Sequence, residues 1–581
     1  MATRDNSRIQ SSGPSELSRN RSSRFASGGS LRRSFNRRYP APNLRAAPDT
    51  LNRSKSYVSP GKQTVGDKLT RHSNAALIAF LLLIFSVPAW GHVGSPDVFL
   101  EGNAGPYKLF VTVRVPQVIP GIAQIEIRSE SNDVREIRIA PMQLTGPGSQ
   151  YAPAPDVAQR STTDPQFFSG NLWLMEFGSL QVRVNVDGAR GTGQLAVPVP
   201  AVAQRTLPMQ KPLGILLFLL MVLLGFALIS IASAAVREGD LAPGAVAPAA
   251  IVRRARFALV IAAIVVAGIL FIGGEWWKAD DSRFARRVYT PPELESTLTP
   301  DGHLVLHQKP ALISAGNPRR PADAINFDNL LLDHNHLMHF FMIRMPQMDS
   351  FWHLHPAPDG HGNFSLDLPS LPPGHYQLFA DVVLTSGFPV TMVGQLKIPE
   401  LKGKTMTGDD SGTVAIPIAR SAKDADAYTF ADGGRMIWDR GSTPLKSGTP
   451  LSFKFEVRDK DGKPANDMEP YMGMATHAEI IRSDASVFAH VHPAGSASMA
   501  ALDLAQMGGA ASPQPSQQDA MAGSRSVDMP GMNMSSMDSS GHVSPDISFP
   551  YGFPKPGLYR IFVQIKRAGR IETAVFDATV S

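Results

Sequence analysis

The sequence contains no cysteine. Disulfide scaffolds, thiolate zinc sites, cysteine-ligated iron–sulfur clusters and cysteine nucleophiles are therefore excluded. A blue-copper ligand set, which needs a cysteine, is excluded as well, and no segment resembles a nucleotide-binding loop. Any metal site in this chain must be built from histidine, methionine or oxygen ligands.

Outside its N-terminal tail the chain also lacks a surplus of basic residues. The first 71 residues hold 15 Lys or Arg and 4 Asp or Glu, a net charge of +11, whereas the whole chain is +6, so the remainder is 6 − 11 = −5. We therefore expect no nucleic-acid partner. Residues 1–71 are rich in Ser, Arg, Pro and Asn, which predicts a disordered basic tail. This tail could also lie upstream of the true start, because a start near Val65 or Leu69 would give a signal peptide of ordinary length.

Three apolar segments predict how the chain meets a membrane. The first, in residues 72–91, is shorter than the ~20 residues that span a bilayer and ends in small residues at Ala89 and Gly91, which indicates a signal peptide or a signal anchor. Residues 212–236 and 257–274 are long and uncharged, which predicts two transmembrane helices joined by a short cytoplasmic loop, 237–256. Neither helix contains an ionisable residue, so a transport path through this protein alone is not expected.

If the chain is exported at residue 92, both large regions lie outside the cytoplasm. The predicted location is the bacterial inner membrane, with these regions facing the periplasm or cell exterior. Residues 92–205 contain alternating runs such as Tyr107–Arg114, typical of an antiparallel sandwich, and predict an extracytoplasmic β domain. His92 would become the amino terminus after cleavage at Gly91 and could chelate copper, or it could simply follow a cleavage site.

An internal repeat occupies the C-terminal half. Met338-His339 is followed by Phe351-Trp352-His353-Leu354-His355-Pro356, and Thr476-His477 is followed by Phe488-Ala489-His490-Val491-His492-Pro493. Each copy also has a Pro-Gly turn leading into an aromatic-containing alternating strand, at Pro373 and at Pro556. We predict two β-sandwich repeats, 284–400 and 412–581, and therefore a mainly β protein of immunoglobulin-like or cupredoxin-like domains linked by transmembrane helices.

The repeated histidines are the candidate metal ligands. Residues i and i+2 of a strand share a face, so each His-x-His pair places two imidazoles side by side. The set predicted from the two repeats comprises His339, His353 and His355, with His477, His490 and His492. Just upstream, His334 and His336 align with Met472 and Met474, so one copy offers imidazoles where the other offers thioethers. Imidazole suits Cu(II), Zn and Ni and thioether suits Cu(I), although Met472 and Met474 could equally be core or turn residues.

A polar insertion, residues 494–542, interrupts the second repeat and is predicted to be disordered. Seven methionines lie in it, including Met529, Met532, Met534 and Met537. Methionines in such a segment have no core to fill, and exposed thioethers are prone to oxidation unless they serve a purpose. This run is either a Cu(I) collector or an inert linker.

These motifs together resemble those of bacterial periplasmic copper-handling proteins. The Met-Pro-Gly-Met-Asn-Met run is similar to the methionine-rich segments of copper-resistance proteins, and the His-x-His-Pro β domains resemble YtkA-like and CopC-like modules. The resemblance covers the repeat histidines, the Met run and the region after Gly91. It implies β-sandwich domains that bind copper, but residues 92–205 lack the second histidine of the CopC-type pattern.

Three functions remain open from the sequence. The leading hypothesis is a membrane-anchored periplasmic metal-binding protein, for copper or another transition metal, that acts as a chaperone, buffer or resistance factor rather than an enzyme. The second is a structural module without stoichiometric metal, whose β edges meet a partner such as a metal transporter or an oxidase subunit. The third is a metal-dependent oxidase with a three-histidine centre.

Overall fold

The computed structural model describes residues 97–242, 244–308, 327, 329–418, 426–508 and 543–581. All of them belong to one compact unit, Pro88–Ser581. The predicted tail, the signal segment, His92 and the methionines at 529, 532, 534 and 537 lie outside the described residues. The described chain consists mainly of antiparallel β-sheets with two long apolar helices, as the sequence predicts.

The first β domain contains two sheets that pack against each other. Its strands alternate buried and exposed residues, as in Gly121–Ser129, so each sheet turns one apolar face inward. The strand orders are β1-β2-β3-β7-β6 and β5-β4-β8-β9. The strands are β1 (Val98–Ala104), β2 (Tyr107–Arg114), β3 (Gly121–Ser129), β4 (Val134–Gln143), β5 (Asp156–Val157), β6 (Gln159–Arg160), β7 (Phe167–Leu174), β8 (Gly178–Gly188) and β9 (Gly191–Ala201), with a 3₁₀ turn at Pro147–Gln150.

Two long helices follow, α1 (Lys211–Glu238) and α2 (Ala249–Ala285). Their most apolar windows have mean hydropathies of 3.0 and 2.8, and the side chains there are not buried within the protein. Both helices are therefore long and apolar enough to cross a membrane. They extend beyond the predicted spans 212–236 and 257–274 because charged residues such as Arg253 and Lys278 continue the helix at its ends.

The first repeat begins after α2 and forms a second pair of sheets. One has the order β10-β11-β16-β15; the other is β12-β17-β13-β14-β19, with β18 beside β17. The strands are β10 (Leu294–Leu298), β11 (His303–Gln308), β12 (Leu330–Leu331), β13 (His339–Met345), β14 (Ser350–Leu354), β15 (Ala357–Pro358), β16 (Phe364–Asp367), β17 (Gly374–Leu384), β18 (Pro389–Ile398) and β19 (Ser411–Val414).

The second repeat has the same plan. Its sheets have the orders β20-β21-β22-β26 and β23-β27-β24-β25, with β28 beside β27. The strands are β20 (Ala427–Thr429), β21 (Arg435–Asp439), β22 (Leu451–Arg458), β23 (Met468–Glu469), β24 (His477–Arg482), β25 (Phe488–Val491), β26 (Asp546–Tyr551), β27 (Gly557–Arg567) and β28 (Arg570–Val580). The order β12-β17-β13-β14 thus corresponds to β23-β27-β24-β25, which agrees with the predicted internal repeat.

The Pro-Gly signature has the same local role in both copies. It begins β17 in the first repeat and β27 in the second. Tyr376 and Tyr559 each donate a hydrogen bond to a carbonyl four residues earlier, at 2.8 and 2.7 Å. Gly557 has φ 143°, and a Cβ there would lie 2.7 Å from the Arg482 side chain, so the turn needs glycine.

The two repeats pack against each other through aromatic side chains at equivalent positions. Phe351 stacks on Phe562 at 4.3 Å between ring centroids, and Phe488 stacks on Phe379 at 4.2 Å. In the alignment of the two repeats, Phe351 is equivalent to Phe488 and Phe379 is equivalent to Phe562. The two stacked pairs are therefore the same contact, made once in each direction across the interface. The repeats are therefore related by an approximate two-fold axis, and the β13-β14 and β24-β25 hairpins meet along it.

The insertion in the second repeat is ordered at its beginning, contrary to the prediction of disorder over 494–542. Residues Met499–Gln506 form helix α3, whose buried residues pack against the first β domain and the first repeat. Its short alanine- and leucine-containing sequence gains stability from this burial rather than from its length. The chain just before α3 pairs with β1, where Glu101 N–H donates to the Ala494 carbonyl at 2.7 Å. Three domains thus meet beside the repeat interface.

Candidate metal centre

Two tight turns present the residues that precede the first histidine of each repeat. In Asp333–His336 the two central residues have φ 50° and 68°, and in Tyr471–Met474 they have φ 50° and 76°. Both turns are closed by paired backbone hydrogen bonds between their first and last residues, at 2.7 to 3.0 Å. The two positive φ values are those of a type I′ turn. The predicted alignment of His334 with Met472 therefore corresponds to a shared backbone geometry.

The strands bring the remaining histidines to the repeat interface. His339 and His477 open β13 and β24, whereas His353 and His490 lie on β14 and β25. All eight histidines predicted as candidate ligands lie in one continuous cluster, with neighbouring ring centroids between 3.8 and 6.5 Å apart. Its members are His334, His336, His339, His353, His355, His477, His490 and His492. We call this set the histidine cluster.

Two triads within the histidine cluster have the spacing of metal ligands. Triad 1 contains His339, His353 and His355, and triad 2 contains His334, His477 and His492. In each triad one nitrogen from every ring lies within 4.8 Å of the others. Imidazole nitrogens bind Zn²⁺ at about 2.0–2.1 Å, so small side-chain movements would bring three of them onto one ion.

The triads do not follow the boundary between the repeats. Triad 1 comes wholly from the first repeat, as the sequence predicts. Triad 2 combines two histidines of the second repeat with His334, which reaches across from the turn of the first repeat. The predicted grouping of His490 with His477 and His492 is therefore incomplete, because His334 occupies the third position. His490 instead lies between the triads, and His336 stacks on His355 at 3.8 Å.

Hydrogen bonds fix the orientation of several rings. The His339 Nε2–H group donates to the Asp333 carbonyl at 3.0 Å, and the His334 Nδ1–H group donates to the Met472 carbonyl at 2.9 Å. His353 Nδ1 lies 2.8 Å from Gln564 Oε1. Such partners set which ring nitrogen carries the proton and which has a free lone pair.

In triad 1 this pattern places two acceptors opposite each other. His339 Nδ1 lies 3.1 Å from His353 Nε2, and the outer nitrogen of each ring already donates its proton to a carbonyl oxygen. In the neutral tautomers both facing nitrogens are therefore lone pairs. Two lone pairs at this distance repel unless a cation lies against them, so triad 1 has the chemistry of a cation site.

Many buried ring nitrogens have no hydrogen-bond partner within the part of the chain that the structure describes. They are Nε2 of His334, His355 and His490, and both ring nitrogens of His477 and His492. A buried polar atom without a partner costs about 1–3 kcal/mol, so such groups are rare unless an ion or water satisfies them. Five of these seven nitrogens belong to triad 2, one to His355 of triad 1 and one to His490, and this concentration indicates that triad 2 is suited to a ligand.

Burial also determines the charge state of the cluster. Desolvation, followed by repulsion from neighbouring histidines, places the pKa values of His339, His355, His477 and His492 well below the usual value. The same causes lower the pKa of His353 and His334. The hydrogen bond to Gln564 partly offsets them in His353, and the charge of Asp333 and the hydrogen bond to the Met472 carbonyl partly offset them in His334. These rings are therefore neutral near pH 7, which is the metal-binding form of imidazole.

Carboxylates that the sequence analysis missed surround the histidines. Glu479 is fully buried, has no hydrogen-bond partner on either oxygen and lies 3.8 Å from His353 Nδ1; burial holds its pKa well above the usual value. Asp381 Oδ2 lies 3.6 Å from His490 Nδ1, and Asp410 Oδ1 lies 3.1 Å from His355 Nδ1. The sequence does contain a feature that could have indicated them, because Glu479 and Asp381 are single acidic residues inside apolar strands.

The methionines aligned with His334 and His336 are both buried. Met474 packs in the core of the first β domain, which agrees with the alternative interpretation of this residue as a core residue. Met472 contributes its carbonyl to His334, as described above. The predicted ligand role of the Met472 and Met474 thioethers stays a prediction.

Comparisons with known proteins give a family-model match within the second repeat. A family model described as "Domain of unknown function (DUF8832)" matches residues 429–581. No curated protein matches the chain.

Similar solved structures include an ICAM-5 D1–D4 ectodomain fragment, with 8% identity, 82% of this chain and 77% of that chain covered, and a TM-score of 0.14. A second is a Salmonella alpha-2-macroglobulin reacted with methylamine, which is 10% identical; the match covers 85% of this chain and 24% of that chain, with a TM-score of 0.17. A third is dimeric latent PorU from Porphyromonas gingivalis, which is 8% identical; the match covers 84% of this chain and 34% of that chain, with a TM-score of 0.13. This chain thus spans about a quarter and a third of the latter two. TM-scores of this size do not establish a shared fold.

Proposed function

We propose that this protein is a membrane-anchored, periplasm-facing metal-binding protein that binds copper in the histidine cluster and acts as a chaperone, buffer or resistance factor. The observation that carries the proposal is the grouping of buried, neutral imidazoles into two triads, with most of the nitrogens of triad 2 lacking a hydrogen-bond partner among the described residues. Desolvated rings of this kind gain more from binding a cation than exposed histidines do, because no hydrogen bonds to water have to be broken.

The ligand chemistry supports a transition metal. Sites for Mg²⁺ and Ca²⁺ use oxygen ligands, whereas imidazole suits Zn, Cu, Fe and Ni. Each triad supplies three neutral imidazole nitrogens to a cation. Copper is favoured over zinc by the methionines of residues 529–537, since thioether ligands select for Cu(I).

The membrane part of the proposal rests on α1 and α2 together with the apolar segment in residues 72–91. A chain exported at residue 92 would return across the membrane through α1 and leave again through α2. The first β domain and both repeats would then lie on the periplasmic side of the inner membrane. Transport itself would require a partner such as a metal transporter or an oxidase subunit.

The test uses the full chain purified in detergent and stripped of metal with a chelator. Cu(I) is titrated anaerobically against a chromophoric competitor, beside a variant with His339, His355, His477 and His492 changed to Gln. The matched control changes the exposed His361 and His375 to Gln. We expect two tightly bound ions per chain in the unaltered protein and in the control, and none in the four-residue variant.

Equal and weak binding by all three proteins would refute the proposal. The histidine cluster would then be structural, and the search would turn to protein partners of the β domains. Tight binding of Zn²⁺ that copper does not displace would keep the metal site but change its metal.

A further inference from the structure

A cavity of about 200 Å³ lies beside the histidine cluster, where the first β domain, the first repeat and the second repeat meet. Its wall includes Val199 of the first domain, Val383 of the first repeat and Ala489 of the second. His490 and His492 form part of the same wall, so the cavity extends to the edge of the histidine cluster. A space of this size holds a cation with several of its waters.

The charge on the cavity wall has one sign. Among the described residues that line it are three aspartates, Asp97, Asp333 and Asp381, and no lysine or arginine. Two of these carboxylates are occupied: Asp97 pairs with Arg114 at 3.4 Å, and Asp333 accepts the Ala500 N–H at 2.9 Å. Asp381 has one oxygen without a hydrogen-bond partner and faces His490 with the other. Asp381 is therefore the carboxylate available to a cation that enters.

Buried polar atoms in the wall also lack partners. His492 is 2% exposed and Tyr551 is completely buried, and neither the His492 ring nitrogens nor the Tyr551 hydroxyl has a hydrogen-bond partner among the described residues. Because uncompensated polar groups of this kind are costly, their presence in the wall indicates a cavity that receives a polar occupant. A purely structural gap between domains would be lined by apolar groups or by satisfied polar ones.

His490 connects the cavity with both triads. It belongs to neither, yet its ring centroid lies 5.3 Å from His339 of triad 1 and 4.5 Å from His492 of triad 2. Its side chain is 5% exposed, and its Nε2 atom has no partner. A ring in this position can hand an ion to either triad by a short movement.

We propose that this cavity is the route by which a metal cation enters the histidine cluster, with Asp381 as the first ligand and His490 as the relay to the two triads. This proposal rests on the proposed function, because it assigns the loading path of the same site. Binding along the path is an exchange of ligands: Asp381 replaces water on the cation, His490 replaces Asp381, and triad nitrogens replace His490. No electron is transferred.

Loading kinetics test the path without altering either triad. Cu(II) is mixed with the metal-free full chain in a stopped-flow instrument, and quenching of tryptophan fluorescence is followed, since Trp352 adjoins His353. Asp381→Asn removes the charge and keeps the shape. Loading should slow about tenfold and lose much of its dependence on salt, because electrostatic attraction of an ion into a cleft is worth at least that factor.

A steric variant tests the same path without changing charge. Ser498 lines the cavity, and its hydroxyl has no hydrogen-bond partner, so Ser498→Leu narrows the cavity without breaking a hydrogen bond. It should also slow loading, because the larger side chain narrows the path that the cation takes. Asp461→Asn is the matched control, because Asp461 is exposed, pairs only with Lys460 and does not line the cavity. Its loading rate should not change.

Both path variants should bind the same number of ions at equilibrium as the unaltered protein. Unchanged loading rates in Asp381→Asn and Ser498→Leu, with full stoichiometry, would overturn the path and leave the proposed function intact. Absence of binding in the unaltered protein would overturn both. Loss of stoichiometry in Asp381→Asn alone, with Ser498→Leu loading at the normal rate, would make Asp381 a permanent ligand and would also overturn the path.

Discussion

The two repeats share a backbone plan but not their side chains at the interface. Both have the same sheet order, the same type I′ turn and the same three histidines. The equivalent positions at which they differ include His334 against Met472, Phe341 against Glu479, and Asp381 against Gln564. These differences lie around the histidine cluster. The comparison teaches that two copies of one fold can give the two proposed metal sites different surroundings, so the triads should differ in their preference for the charge and oxidation state of an ion.

The largest expected effect concerns what the repeats have in common. Phe351→Ala and Phe488→Ala each remove a buried ring from an equivalent stack, and each should lower the free energy of unfolding by about 3–5 kcal/mol. Chemical unfolding of the metal-free protein measures both values. A cost below about 1 kcal/mol for either variant alone would contradict the two-fold arrangement of the interface.

Single-histidine variants separate the triads. His339→Gln removes a ligand from triad 1 only, and His477→Gln removes the equivalent ligand from triad 2 only. Each variant should lower the affinity of one of the two binding events by more than about 100-fold. Losing a residue that only hydrogen-bonds to a metal ligand costs up to about that factor, and losing a ligand itself should cost more. Competitive titration resolves the two events. Loss of both events in either variant would mean one shared site.

Exchange of the turn ligand sharpens the difference between the repeats. His334→Met gives triad 2 the thioether that the second repeat carries at the aligned position, Met472. Thioether favours Cu(I), so affinity for Cu(II) should fall about tenfold or more while affinity for Cu(I) is retained. Parallel titrations with the two oxidation states measure the ratio. An equal loss for both ions would show that His334 acts through structure.

The effect of pH on the stability of the metal-free protein should be smaller than the effects above, because two sets of titrating groups act in opposite directions. Six histidines have pKa values lowered by burial, so unfolding takes up protons as the pH falls through about 6.5, and the metal-free protein loses stability there. Burial raises the pKa of Glu479, and it raises that of Asp410 to about 6, so these carboxyl groups hold protons in the folded state and add stability as the pH falls.

The net result should be a fall in Tm of several degrees between pH 7.5 and 5.5. Glu479→Gln removes one opposing group, which should raise Tm at pH 7.5 and steepen the fall. Phe341→Leu, at the equivalent position of the first repeat, is the control and should leave the slope unchanged. Thermal scans of the metal-free protein measure this, and a Tm that rises on acidification would contradict the burial of neutral histidines.

The sequence was sufficient to predict the repeat, its strands and the eight clustered histidines, because strand periodicity and the spacing of His-x-His pairs are local properties. It also aligned His334 with Met472 correctly. It did not predict that His334 completes the triad of the other repeat, since that depends on how two domains pack. Helix α3 was missed because eight residues, six of them Ala, Leu or Met, carry little signal in a polar insertion without their tertiary contacts.

The carboxylates at the site were harder to predict from the sequence than the histidines. Glu479 and Asp381 stand alone in apolar strands, and a single charged residue in such a strand usually faces solvent. Only the packing of the two hairpins shows that Glu479 is buried beside His353. The cavity next to His490 is likewise formed by three domains and has no counterpart in any one stretch of sequence.

Because His334 reaches from the first repeat into triad 2, the second repeat cannot form that triad by itself. The segment matched by the family model, residues 429–581, supplies only two ligands of triad 2 and none of triad 1. The second repeat on its own would have to find a separate chain that carries a histidine at the position of His334 in order to complete triad 2. Joining both copies in one chain fixes their effective concentration, so site assembly no longer depends on how much protein the cell contains.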